Sequence, residues 1–204
     1  MKNWLLIGIL FLMSCTKSDE KQNHSDPQLS KKVDTNQELS EDQIVTKLNK
    51  EILEILKKED YANLSTYIHL DEGLRFSMYS FVSDEDKTFS KLDFDKYINS
   101  DIRFTFGEKD GLAEKYSVSL KDYFKNWVFK KDFSKAKFNI QNFEGRGNTI
   151  NNIKEKYPSS VVVENYIKGT AEYSYMDWNS LILIFEKIED QYYLVGIANN
   201  QWTI

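Results

Sequence analysis

"LILIFEKIEDQYYLVGI", Leu181 to Ile197, decides the fold class. In Leu181-Ile182-Leu183-Ile184-Phe185 both alternating sets of side chains are apolar, so a strand here needs cover on both of its faces. Glu189-Asp190-Gln191 interrupts the apolar pattern and Tyr192 to Ile197 resumes it. The stretch therefore predicts an antiparallel hairpin, Leu181–Ile188 against Tyr192–Ile197, with a three-residue turn.

Working outward, Val161 to Ile167 is β-branched and Phe138 to Phe143 alternates, so the final third reads as mostly β. The first part of the domain reads differently. Ser40-Glu41-Asp42-Gln43 is a capping box with acids in the first turn, and Ile44, Leu48, Ile52, Ile55 and Leu56 follow at helical spacing. Asp60 is placed to cap a short second helix carrying Leu64 and Ile68. Further elements are a strand at Leu74–Val82, a helix at Ser90–Ile98, a strand at Ile102–Phe106 and an aromatic-rich helix at Leu120–Phe129. Helices first, then an antiparallel sheet, is an α+β order. It resembles the NTF2-like cone, in which a curved sheet wraps a long helix and leaves a pocket at its open end. The cystatin-like arrangement is the alternative.

Ahead of this domain lies a different kind of sequence. Lys2 makes a basic start, and Leu5 to Met13 is apolar apart from Gly8. As a helix that run spans roughly 14 Å, under half of a ~30 Å hydrocarbon core, so it fits a secretory signal and not a span. Leu12-Met13-Ser14-Cys15 resembles the lipobox of bacterial lipoproteins, which implies cleavage before Cys15 and attachment of lipid to its thiol. Cys15 is the only cysteine, so neither a disulfide nor a thiolate metal site competes for it. Thr16-Lys17-Ser18-Asp19-Glu20 resembles the short export signals of surface-exposed lipoproteins. The resemblance implies an outer-membrane anchor, with surface display favoured over the periplasmic face. From Thr16 to Leu39 only Leu29, Val33 and Leu39 are large and apolar, which is too little to offset the entropy of ordering. This reading divides the chain into a signal peptide at 1–14, a lipidated Cys and flexible tether at 15–39, and a single domain at 40–204.

Charge and composition narrow the function classes. The formal net charge of −5 becomes −6 when Lys2 leaves with the signal, and no basic stripe offsets it, which argues against nucleic acid as a partner. One histidine in the domain and no second cysteine leave no ligand set for a transition metal, and no cofactor motif stands out. Gly145-Arg146-Gly147-Asn148-Thr149 lacks the further Gly of a dinucleotide loop and the Lys of a P-loop. It reads as a tight turn in which Asn148 or Thr149 caps a helix from Ile150 to Lys156.

Four blocks, "EGLRFSMYSFV", "GRGNTINN", "MDWNSLILIFE" and "YYLVGIANNQWTI", together resemble the signature of a family of secreted and lipid-anchored bacterial proteins with no established activity. The family pattern has a His-Pro pair before the first block and a His-Asp pair before the last Trp. This chain has His69-Leu70 and Asn199-Asn200 instead, and the second departure removes an imidazole and a carboxylate.

Two readings of function remain. In the first, the domain binds a small molecule, glycan or protein, with Arg75, Trp178, Asn200 and Trp202 as ligand contacts. Aromatic faces beside amides suit a flat ligand. Trp178, in the connection before a strand, is expected to be the accessible one and Trp202 to be buried. In the second, a pocket hydrolase or isomerase uses His69 with a carboxylate such as Asp177. The membrane is a partner in both, through the lipid on Cys15.

Overall fold

The computed structural model describes residues 39–145 and 150–203. The expected signal peptide, the lipid site expected at Cys15, the tether expected through residue 38 and the turn expected at 146–149 fall outside the described residues.

Helix α1, Glu41–Lys57, starts as its sequence dictates. The Ser40 hydroxyl accepts from the Gln43 amide and the Gln43 side chain accepts from the Ser40 amide. It buries Val45, Asn49, Ile52, Leu53 and Leu56, one stripe of a 3.6-residue period. A short α2, Tyr61–Leu64, follows; Asp60 precedes it but makes no side-chain cap.

Then come β1 (Leu74–Ser77), β2 (Lys87–Phe89), α3 (Lys91–Tyr97) and a hairpin of β3 (Arg103–Lys109) with β4 (Glu114–Ser119). Helix α4, Leu120–Tyr123, runs on into a wider turn in which the Phe129 amide donates to the Phe124 carbonyl at 2.8 Å. The last part is β5 (Lys137–Ile140), α5 (Ile153–Lys156), β6 (Val161–Ile167), β7 (Asn179–Ile188) and β8 (Gln191–Gln201).

Six strands form one sheet in the order β2-β1-β8-β7-β6-β5, and β3–β4 stands apart as a two-stranded sheet. All neighbours in the six-stranded sheet are antiparallel except β1 and β8. The architecture is thus α+β with an open, mostly antiparallel sheet. The central hairpin is tighter than expected: Ile188 pairs with Gln191, so the turn is Glu189-Asp190 alone, with Glu189 at φ 56°.

Both faces of β7 are covered, as its sequence requires. Leu181, Leu183 and Phe185 join the large core with α1, β1 and α4. Ile182 and Ile184 join a second cluster with Val82, Ile153, Val162, Val195 and Ala198. That second cover is irregular, residues 141–145 and 150–157, and among these described residues α5 is the only helix. The helix begins at Ile153, later than Ile150, with Asn152 at its N-cap.

The strand expected at Leu74–Val82 ends at Ser77. Beyond it the backbone turns to other partners: the Met78 carbonyl accepts from Trp127 Nε1 at 3.0 Å, and both backbone groups of Val82 bond to the Asn152 amide. Among the described residues, no helix is long and apolar enough to cross a membrane.

Candidate functional site

Because β1 runs parallel to β8 and β7 antiparallel to it, the ends of β1 and β8 and the start of β7 share one edge of the fold. At this open end the connection from β1 to β2 faces the β3–β4 hairpin. Between them lies a cleft of about 580 Å³, whose walls include Met78, Tyr79, Phe81, Phe106 and Gly107, with Asp86 among them.

Local sequence explains the approach of the two walls. The β3–β4 register shifts between Thr105 and Glu108, and Gly107 within that irregularity has φ 151°. A Cβ on Gly107 would lie 3.0 Å from Met78 Sδ, so glycine lets the hairpin close on the β1 connection. The Asp110 amide donates to the Tyr79 hydroxyl at 2.8 Å and ties the hairpin tip to the same wall. Phe81 projects at 49% exposure.

Asp86 accepts from the Ser77 hydroxyl and, at 2.9 Å, from the Ser83 amide. Burial pushes its carboxyl above the ordinary aspartate value, against the lowering effect of these bonds and of Arg75. Behind Phe106 lies Tyr123, stacked on it at 3.7 Å and fully buried. The Tyr123 hydroxyl has no hydrogen-bond partner, and burial, together with the charge of Asp86, raises its pKa well above that of free tyrosine. Ser80 Oγ, in the same β1 connection, is also buried without a partner.

The residues singled out from sequence do not converge. His69 packs edge-on against Tyr193 at 4.9 Å, and its Nδ1 faces the amides of Asp71 and Glu72 at 3.3 and 3.4 Å. Tyr193 pairs with Glu186 near the far end of β7, whereas Asp177 precedes its first residue, Asn179. Asn179 and Glu186 are seven residues, roughly 23 Å, apart along the strand, so His69 and Asp177 lie toward opposite ends of β7 and do not form one catalytic pair. Asp177 instead accepts from the Thr170 amide at 2.6 Å and from its hydroxyl at 3.1 Å, which holds its carboxyl below the usual value.

The two tryptophans are reversed relative to expectation. Trp178 is 5% exposed, packed against Tyr166 and beneath Gly145, while Trp202 is 42% exposed. The connection before β7 folds back, so its sequence position did not make Trp178 accessible. Asn200 is buried, with its side-chain oxygen on the Gln201 amide at 3.0 Å.

None of these residues is among the walls of the cleft, and Arg75 acts on it only indirectly. It donates to the Ser83 carbonyl at 2.7 Å and so shapes the loop that carries Asp86. Sequence reasoning missed Asp86, Tyr79, Phe81, Phe106 and Tyr123. The one available signal was the Ser83-Asp84-Glu85-Asp86 run directly after an aromatic-rich stretch, and that also describes an ordinary solvated turn.

Among the described residues, no group of three or more His, Cys, Asp or Glu side chains is placed to hold a metal ion. Comparison of the chain with protein-family models, with curated proteins and with solved structures gives no match.

Proposed function

We propose that this chain is a lipid-anchored protein of the bacterial cell envelope, held in the outer membrane through Cys15, whose domain captures a ligand in the open-end cleft. The observation that carries the binding role is the cleft itself: aromatic walls and a partly buried carboxyl gathered at one end of the sheet. The anchor rests on the lipobox-like Leu12-Met13-Ser14-Cys15 and on the charged tether behind it. We read the architecture as a variant of the NTF2-like cone, since α1 lies along one face of the sheet and the cleft opens at its end. The membership in a family of secreted and lipid-anchored proteins suggested by the four sequence blocks fits the same reading.

The binding role is tested by a thermal-shift screen of the full chain against a metabolite and glycan library. A ligand at a hundred times its Kd adds ~2.7 kcal/mol to stability. Phe81→Ala, on an exposed wall, should weaken any hit about tenfold and leave the melting temperature of the free protein unchanged. Unchanged affinity in that variant overturns the cleft as the site. The anchor is tested separately: a metabolic fatty-acid probe should label the chain and fail to label Cys15→Ser, and label kept by the variant excludes Cys15.

A further inference from the structure

We infer that the ligand class of this cleft is a small organic cation, an amine or quaternary ammonium; the inference rests on the binding role proposed above. Three aromatic side chains, Tyr79, Phe81 and Phe106, meet the cleft, and ring faces attract cations through their quadrupole. Asp86 uses its acceptors for only two protein donors, Ser77 and Ser83, whereas a carboxylate has about four acceptor sites.

The lip is acidic as well. Glu108 and Asp110 line the cleft together with Asp86, and Glu85 joins them where the groove continues past Thr105. Two lysines are nearby. Lys109 is drawn to Glu114 at 3.9 Å and lies over the Tyr116 ring at 5.3 Å, while Lys115 sits across the hairpin from Glu108. Arg75, held on the Ser83 carbonyl, also bears on Asp86, but Asp86, Glu108, Asp110 and Glu85 still outnumber Lys109, Lys115 and Arg75.

A neutral alcohol or amide can donate to Asp86 but brings no charge to the carboxylates or the rings, and an anion would meet four carboxylates. A cation is attracted by the carboxylates and the ring faces together, with an N–H bond to Asp86 added where it is a protonated amine.

The test uses the full chain and matched probes: choline against 3,3-dimethylbutan-1-ol, benzylamine against benzyl alcohol, and spermidine. Binding is followed by calorimetry and by NMR shifts of Met78 and Phe81. The expected result is at least one cation binding ~10-fold or more tightly than its neutral match, with loss of that preference in Asp86→Asn. Should Asp86→Asn fail to fold, Phe81→Ala serves in its place and should weaken the cation about tenfold. Equal affinity for cation and neutral match, or a preference for neutral or anionic compounds that shift the same resonances, overturns the cation inference and leaves the cleft as a binding site. Silence of Met78 and Phe81 toward these probes and toward every hit of the wider screen overturns both.

Discussion

The two faces of the six-stranded sheet are buried by opposite means. The inner face meets regular elements. Helix α1 lays its stripe across the sheet, and Phe76 of β1 sits edge-on to Phe89, Phe106, Tyr123 and Phe124. One polar contact there joins helix to sheet. Asn49 of α1 and Asn165 of β6 exchange two amide hydrogen bonds of 2.9 Å.

The outer face meets a segment that is mostly neither helix nor strand. Its backbone groups have no ladder to join, so side chains supply the missing partners. Glu164 of β6, 0% exposed, accepts from the amides of Glu144 and Gly145 and from the Ser180 hydroxyl at 2.6 Å. A Cβ on Gly145 would lie 2.8 Å from that carboxylate, so only glycine allows the approach. Asn152 serves both the amide and the carbonyl of Val82, at 2.7 and 3.0 Å, and the Gln141 side chain donates to the Ser160 carbonyl at 2.9 Å. Regular structure hides apolar area cheaply, while irregular cover needs a specific polar pin at nearly every turn.

The comparison implies that inner-face damage is global and outer-face damage local. Phe76→Ala is the largest expected effect. It removes a fully buried ring from the meeting point of four others, and such truncations cost about 3–5 kcal/mol. Urea titration should show a loss of unfolding free energy of that size, with amide protection lost evenly across α1, β1 and β7. Protection lost only around residue 76 would mean the inner face is not one cooperative unit.

How far each face was legible in the sequence follows from the same physics. The capping box of α1, the bounds of β6 and the double-sided burial of Leu181–Phe185 are local or periodic signals, and all three are present in the structure. β4 was missed because Glu114 to Ser119 alternates only weakly, and its pairing with β3 is a tertiary choice. β1 was drawn too long because apolar Met78 and Val82 look like strand, although their backbone partners, Trp127 and Asn152, are distant in sequence. The candidate site was legible in part only. A pocket at the open end was expected from the NTF2-like resemblance, with Trp178 and Trp202 as its rings, whereas the cleft is walled by the β1–β2 connection and the β3–β4 hairpin. Trp178 is sealed by Gly145, whose position depends on Glu164 and on no local pattern. His69 drew notice as a rare residue type, and rarity carries no information about convergence.

Glu164→Ala probes the outer face, with a smaller expected effect. The variant strands two amides and a hydroxyl that now donate to one buried carboxylate. Hydrogen bonds to charged groups are each worth about 1.5–3 kcal/mol, but here water can reach the freed donors if the segment lifts. Lifting caps the loss, so the net cost should sit near the value of one such bond, about 1.5–3 kcal/mol, and below that of Phe76→Ala. Hydrogen exchange then discriminates. Amides around Glu144 and Gly145 should exchange much faster in the variant, while those of Ile52, Leu53 and Leu56 in α1 keep their protection relative to global stability. Equal acceleration in α1 would show that the two faces unfold together and that the outer cover is part of one core. Selective acceleration would show that a single buried carboxylate holds down this stretch of the outer cover.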